Sequence, residues 1–188
     1  WSEQGGQDDL VWYGAEKKNA GTWTKTVKIK DHRTLGKYNV HAYITLSNGS
    51  VKTKTTTFNV NKPTAEFGVS EYNENTGTFY VTINNIQSAS GVKSVMVPVW
   101  CADDQNDLVW YIAEKTADGT YKVNVNVANH KRHIGTYKVN IYIEMGNDIL
   151  IGIGGCTQEI SNTELYAIMG NSDVTVAQMV AYLSLIHI

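Results

Sequence analysis

The sequence has little cysteine, little proline and little charge. Two cysteines in 188 residues do not make a disulfide framework, and two prolines among many Val, Thr, Tyr and Asn residues favour β structure. Lys and Arg number 16 against 18 Asp and Glu, so the net charge is −2. This balance predicts no nucleic-acid surface and no basic patch for a membrane. No apolar run approaches the roughly 20 residues of a membrane helix.

The sequence also lacks the motifs that carry catalysis. It has no Gly-x-Ser-x-Gly elbow, no glycine-rich phosphate loop and no His-Glu-x-x-His. Glu16 and Glu114 recur, but glycoside hydrolysis usually needs a pair of carboxyl groups at a set spacing. His130 and His133 have a spacing that can chelate a metal, but a zinc site needs three or four ligands. We therefore expect no catalytic residue, no metal and no cofactor here.

An internal repeat organises the chain. Asp-Leu-Val-Trp-Tyr at 9–13 recurs at 107–111, and the match continues at an offset of 98 and then 99. Trp1 pairs with Trp100 at the second offset. This period is that of a repeated domain rather than of a solenoid. The further matching pairs are Ala15-Glu16-Lys17 with Ala113-Glu114-Lys115, His32 with His130, Gly36 with Gly135, Tyr38 with Tyr137, Val40 with Val139, and Tyr43-Ile44 with Tyr142-Ile143.

The repeat divides the chain into three segments. Residues 1–61 match the back part of the repeated domain, and residues 64–160 match a whole one. Asn61-Lys62-Pro63 is the expected linker, because proline ends a strand and stiffens the chain. Residues 161–188 match neither copy and are interpreted as a linker and the first helix of a truncated further domain.

The last segment changes its hydrophobic period. Thr175-x-x-Gln178 fits a capping box, and the apolar residues that follow lie on one helical face, which predicts a short C-terminal helix. Ser184-Leu185-Ile186-His187-Ile188 does not continue that pattern. These five residues are either native sequence or a truncation or assembly artefact, and we favour the artefact.

Alternation of apolar and polar residues predicts strands through the rest of the chain. The spacing is that of an all-β fold, with tandem immunoglobulin-like β-sandwich repeats. Pro98 cannot donate to a ladder, so its strand end is expected at an edge or a bulge. The strands predicted for the second copy lie near 65–70, 78–84, 92–99, 108–114, 121–127, 136–144 and 149–159. Their predicted core residues include Val81, Val95, Val97, Val123, Val125, Val139 and Ile141.

Four strands are predicted for the first copy, near 10–16, 23–29, 38–46 and 51–60. The counterparts of 64–99, which supply about three strands of the second copy, have no match in it. We therefore expect its apolar faces to lack a complete opposing sheet. The residues on those faces include Val27, Ile29, Val40 and Ile44.

The repeated strings resemble the GBS Bsp-like repeat, a β-rich module of Gram-positive secreted and cell-surface proteins. They are Asp-Leu-Val-Trp-Tyr, Ala-Glu-Lys, a His-containing turn, and Gly-x-Tyr-x-Val-x-x-Tyr-Ile. The resemblance covers residues 1–160 and implies tandem modules attached to peptidoglycan hydrolases. Cys101 departs from the first copy, which has Ser2 in its place.

The tail of the chain carries a second, shorter resemblance. Ile168-Met169-Gly170-Asn171-Ser172, followed by Thr175, Gln178 and Tyr182, is similar to the lead-in of a glucosaminidase-type hydrolase domain. Such domains cleave the N-acetylglucosaminyl bond of peptidoglycan. The resemblance implies that the catalytic glutamate lies downstream of residue 188, so no residue of this chain takes that role.

Recurring aromatic residues are the candidate glycan-binding sites, because sugar rings stack on aromatic faces. Adjacent strand residues point to opposite faces, so one member of each Trp-Tyr pair is expected in the core. Alternation alone does not say which member that is. The candidates are Trp1, Trp12, Tyr13, Trp100, Trp110 and Tyr111.

Cys101 and Cys156 can pair if the protein is secreted. In the seven-strand interpretation, one strand lies between the strands that carry them. Two strand spacings, about 9.6 Å, exceed the reach of a disulfide, so the geometry favours free thiols.

The expected function is that of a non-catalytic, wall-targeting region of a secreted Gram-positive peptidoglycan hydrolase. Its expected partner is peptidoglycan or another cell-wall polysaccharide, and tandem copies would add avidity. The expected protein is monomeric, extracellular and associated with the cell wall. The alternative is a spacer or adhesin stalk that has no glycan binding of its own.

Overall fold

The computed structural model describes residues 1–117 and 119–161. The helix predicted after Thr175 and the segment from Ser184 to Ile188 lie outside the described residues. Strands dominate the described part, and none of its helices is long and apolar enough to cross a membrane. The strands of the first repeat are β1 (Glu16–Asn19), β2 (Thr22–Thr24), β3 (Gly36–Thr45) and β4 (Val51–Val60).

The second repeat is a sandwich of two antiparallel four-stranded sheets. One sheet has the order β5-β6-β10-β9 and the other β12-β11-β7-β8. This arrangement confirms the predicted all-β sandwich class. The strands are β5 (Thr64–Val69), β6 (Thr78–Gln87), β7 (Val92–Trp100), β8 (Val109–Ile112), β9 (Glu114–Ala117), β10 (Thr120–Asn126), β11 (Gly135–Met145) and β12 (Leu150–Ile160).

The core of the second repeat lies between the two sheets, as the alternation predicts. Lys122 and Asn124 are exposed between the buried Val123 and Val125, so the predicted register of β10 is confirmed. The predicted core residues are all at most 4% exposed: Val81, Val95, Val97, Val123, Val125, Val139 and Ile141.

The strand predicted at 108–114 forms as two strands that belong to different sheets. β8 pairs with β7, and β9 pairs with β10 on the opposite sheet. Ala113 stands between them, and its backbone N–H donates to the carbonyl of Val95. The chain therefore crosses the open side of the sandwich at this small residue.

The expectation that Pro98 marks a sheet edge is wrong. Its strand, β7, lies inside the sheet between β11 and β8, and Pro98 is opposite Trp110 of β8. The pairs between β7 and β11 pass over Val97 and Pro98 but keep the same register on both sides. Because proline has no N–H to donate, the ladder between β7 and β11 is interrupted at this point, but no bulge forms.

The first repeat consists of two separate hairpins, β1-β2 and β3-β4. The predictions near 10–16 and 23–29 are largely wrong, because the strands there are only Glu16–Asn19 and Thr22–Thr24. In the second repeat, the corresponding β8 pairs with β7. Among the described residues of the first repeat, only an isolated bridge from Ser2 to Tyr38 stands in the place of β7.

Both cysteines are free thiols. Cys156 lies opposite Val139 of β11, and Cys101 follows the last residue of β7. Since β11 separates β7 from β12 in the sheet, one strand lies between the two cysteines, as expected.

Candidate functional site

In the second repeat, the Trp-Tyr pair of β8 divides between the surface and the interior. The Trp110 side chain is 49% exposed. The Tyr111 ring packs against the core, and its hydroxyl lies 2.8 Å from Nε2 of His130. Tyr111 is therefore a structural residue in this repeat, which leaves Trp110 as the member available to a ligand.

His130 is fully buried, and its contacts fix its tautomer. Nδ1 lies 2.9 Å from the backbone carbonyl of Asp107, which can only accept, so Nδ1 carries the proton. Nε2 then accepts from the Tyr111 hydroxyl. Burial lowers the pKa of His130, against the opposing effects of the carbonyl and charge of Asp107.

Asp107 ties this cluster to the loop after β7. Its carboxylate accepts from the backbone N–H groups of Cys101 and Ala102, and Nδ1 of His133 lies 3.0 Å from its Oδ2. Burial opposes ionisation of Asp107, but these hydrogen bonds outweigh burial and lower its pKa. His130 and His133 thus both turn to Asp107. Within residues 1–117 and 119–161, no cluster of His, Cys, Asp and Glu could hold a metal ion.

The first repeat contains a related cluster. The Tyr13 hydroxyl lies 3.1 Å from Nε2 of the buried His32, and Oδ1 of Asp9 accepts from the backbone N–H of Ser2. Trp12 is the outward member of the pair and is 71% exposed. Tyr13 is 37% exposed, unlike the half-buried Tyr111, but its contact with the histidine recurs, which indicates that the Tyr-His contact is part of the repeated fold.

Each repeat also contains a tyrosine near the start of its long strand that bonds back to the preceding loop. The Tyr137 hydroxyl donates to the carbonyl of His133 at 2.8 Å, and that of Tyr38 donates to the carbonyl of Thr34 at 3.1 Å. A tyrosine that bonds to backbone four residues upstream is a tyrosine corner, a hallmark of immunoglobulin-like sandwiches.

Acidification is expected to destabilise the second repeat through His130. Because burial lowers its pKa below the ordinary 6.5, the folded state binds fewer protons than the unfolded chain. The contribution of His130 to stability is therefore complete above about pH 6.5 and falls as the pH drops from there towards the folded-state pKa. Thermal melting across this interval measures the effect as a falling Tm.

His41 supplies the matched control for the acid effect, because it is an exposed histidine of the first repeat. His41→Gln should leave the pH dependence of the second repeat unchanged. A Tm that stays constant for the second repeat across that pH interval would contradict a neutral, buried His130.

An exposed aromatic face covers the outside of the β12-β11-β7-β8 sheet. The rings of Trp110 and Tyr142 have centroids 5.2 Å apart at 54°. Met96 lies opposite both Tyr142 and the exposed Ile112 in the ladder. A Cβ at Gly152 would stand 3.2 Å from the Tyr142 ring, so this glycine leaves room for the ring to lie against the sheet. We call Met96, Trp110, Ile112 and Tyr142 the second aromatic face.

The first repeat presents a corresponding surface. Trp12 and Tyr43 have ring centroids 5.3 Å apart at 39°, at the positions that match Trp110 and Tyr142. His41 lies beside Tyr43, and the Trp1 ring meets His41 edge-on at 4.4 Å. We call Trp1, Trp12, His41 and Tyr43 the first aromatic face.

The structure brings some of the sequence candidates to these faces and not others. Trp12 and Trp110 lie on them, and Trp1 joins the first through His41. Trp100 is the half-buried last residue of β7, on the same side of the strand as Met96. Tyr13 and Tyr111 turn instead to the buried histidines.

Tyr43 and Tyr142 were missed by the sequence reasoning. The two tyrosines occupy matching positions in the two copies, and in β11 Tyr142 lies on the solvent-facing side of the alternating pattern. The sequence therefore contained two indications of a surface role, the recurrence and the outward position. What the sequence does not contain is the fold that brings each tyrosine beside a tryptophan. Trp110 is on β8 and Tyr142 on β11, with β7 between them, and Trp12 lies outside the strands of the first repeat.

These features define a tandem immunoglobulin-like β-sandwich repeat protein with matching aromatic surfaces on its two repeats. The GBS Bsp-like repeat profile matches residues 1–58 and 68–158. The chain belongs to this family of cell-surface repeats.

No curated protein matches this sequence. Among solved structures, a polysaccharide deacetylase from Bacillus cereus is similar to part of the chain, with 7% identity and a TM-score of 0.41. The similarity covers 50% of this chain and 29% of the deacetylase, so the chain spans less than a third of that protein's length.

Proposed function

We propose that the two repeats bind cell-wall polysaccharide, such as peptidoglycan, through their aromatic faces. The observation that carries this proposal is the recurrence of one surface Trp-Tyr pair on both repeats: Trp12 with Tyr43, and Trp110 with Tyr142. The tryptophan is exposed in both copies, Tyr43 is exposed, and Tyr142 is half-buried. Burying such rings in a core would stabilise the fold, so their exposure in both copies favours a ligand.

Ring chemistry supports a carbohydrate as the ligand. Aromatic side chains offer a large apolar surface together with a polar edge, which suits a sugar with C–H faces and hydroxyl rims. The near-neutral chain has no charge excess to bind an anionic polymer by electrostatics alone. Binding through the faces is therefore expected to persist in moderate salt, where exposed charge pairs are screened.

Sedimentation with purified, insoluble Gram-positive cell wall tests the proposal. Each ring is expected to contribute about 0.5–1.5 kcal/mol, so Trp12→Ala and Trp110→Ala should each weaken binding roughly 2- to 10-fold. The double variant should lose more than either single variant, because two linked sites add avidity.

Two exposed aromatic residues outside the faces supply controls. Trp23→Ala removes an exposed tryptophan on β2, and Tyr80→Ala removes an exposed tyrosine on the opposite sheet of the second repeat. Both variants should bind wall as the unchanged protein does. Binding that disappears in moderate salt, or that survives loss of both Trp12 and Trp110, would overturn the proposal.

A spacer or stalk remains the second candidate, favoured by a specific contact. Asn147 of the second repeat donates a buried hydrogen bond to the carbonyl of His32 in the first. A joint of this kind suits a stalk that projects another domain. No wall binding by the unchanged protein, together with a fixed repeat orientation, would favour the stalk.

We also propose that the repeats serve a secreted, wall-associated peptidoglycan hydrolase of the N-acetylglucosaminidase type, and that the chain acts as a monomer. Support comes from the sequence after Ile168, which resembles the lead-in to such a domain. The test has two parts: the gene downstream of residue 188 should encode a glucosaminidase domain, and residues 1–188 alone should show no muralytic activity.

A further inference from the structure

The two repeats meet at a joint built from one loop and one turn. The β11-β12 turn of the second repeat places Asn147 against the loop that precedes β3 in the first. Asn147 is 1% exposed, and its Nδ2 donates to the carbonyl of His32 at 3.0 Å. Its Oδ1 accepts from the Ser90 hydroxyl at 3.3 Å, so the amide is bonded on both sides of the joint.

Polar and apolar contacts surround this buried bond. Arg33 of the first repeat pairs with Asp148 of the second at 3.0 Å, and Lys93 holds the other carboxylate oxygen of Asp148. Leu35 of the first repeat packs against the core of the second. The ion pair is exposed and contributes little, so the buried amide and Leu35 carry the joint.

The joint ends on a residue that is itself fixed inside the first repeat. His32 is 5% exposed, its Nε2 lies 3.1 Å from the Tyr13 hydroxyl, and its ring meets Tyr38 edge-on at 5.5 Å. The two hairpins of the first repeat cover its small core incompletely. A hydrogen bond to the His32 backbone therefore helps to hold the residues of that core in place.

The first repeat carries the same turn without a docking partner in the described chain. Leu46 and Gly49 make the backbone hydrogen bonds that Met145 and Asp148 make in the second repeat. Asn48, the counterpart of Asn147, is exposed and bonds only locally, with its Oδ1 accepting from Ser50. The turn thus forms by itself, and the repeat-to-repeat contact is a separate property of Asn147.

The geometry points to a coupling function for this joint: the His32–Leu35 loop is a docking surface for the β11-β12 turn of the following repeat. Docking holds the two repeats in one orientation and stabilises the first repeat, whose hairpins have few other contacts. The partner that fits the loop is an Asn-Asp turn of a repeat of this family.

Native-state hydrogen exchange on the whole chain tests the coupling. Asn147→Ala leaves the His32 carbonyl without its buried donor, so amide protection in β3 and β4 should fall about tenfold or more. The core strands of the second repeat should keep their protection, which shows that the variant is folded. Asn48→Ala is the matched control, and it should leave protection in the body of both strands unchanged.

A second variant changes the joint on the side of the first repeat. Leu35→Ala removes the apolar contact from the first repeat and leaves the second repeat's own residues intact. Residual dipolar couplings should fit one alignment tensor for both repeats in the unchanged protein and two different tensors in Leu35→Ala and Asn147→Ala. Unchanged protection of β3 and β4 in Asn147→Ala, or one shared tensor in both joint variants, would overturn the coupling.

Discussion

Amides of β3 and β4 are expected to exchange with solvent several orders of magnitude faster than those of β7, β10 and β11. The reason is the uncovered inner face of the β3-β4 hairpin. Val40 and Ile44 are 40% and 52% exposed, whereas their counterparts Val139 and Ile143 are fully buried. An apolar patch of roughly 400 Å² left in water forgoes about 10 kcal/mol of burial free energy. That amount is comparable to the whole stability of a small domain.

Hydrogen exchange read strand by strand measures this difference within one molecule, so solvent conditions are identical for both repeats. The second repeat serves as the internal reference, because its sandwich is complete. Equal protection of β3 and β11 would show that the first repeat is self-sufficient, and the interpretation of residues 1–61 as a truncated sandwich would then be wrong.

Two lysines affect how the uncovered face of the β3-β4 hairpin is expected to behave. Lys52 and Lys54 of β4 lie directly opposite Ile44 and Ala42, so they share the inner face with the exposed apolar residues. Charged side chains on an uncovered sheet face oppose pairing with other chains. We therefore expect local opening of the hairpin more than aggregation, a distinction that the apolar pattern of β3 alone did not reveal.

The strand faces of the second repeat were predictable, because burial imposes a period of two on the sequence. In β10, alternation alone placed Val123 and Val125 inside and Lys122 and Asn124 outside. A signal of this kind is local, and it depends only on which side of the strand meets the other sheet.

The features that sequence reasoning missed depend on distant partners. The switch of sheets at Ala113 is not visible in the sequence, because residues 108–113 form an unbroken apolar run. The carbonyl that accepts from the Ala113 N–H belongs to Val95, on a different strand. The inward turn of Tyr111 is set by His130, 19 residues away. The joint links His32 to Asn147 across 115 residues, so no local pattern announces it.

Ile143→Ala in the second repeat is expected to cost about 2–5 kcal/mol of unfolding free energy. The Ile143 side chain is fully buried within the core cluster of that repeat. Its removal loses both the transfer free energy of the deleted atoms and the contacts of the cavity that remains. Denaturant unfolding followed by a probe in the second repeat, such as exchange of β10 amides, measures the loss.

Ile44→Ala supplies a control that the repeat itself offers, since Ile44 is the counterpart of Ile143 and is 52% exposed. A half-exposed side chain with no sheet packed over it leaves no cavity, so this change should stay within about 0.5 kcal/mol. The contrast between two isoleucines at equivalent positions isolates the effect of the covering sheet. Similar losses for both variants would mean that the inner face of β3 is covered in solution, and the exposed face described for the first repeat would not exist.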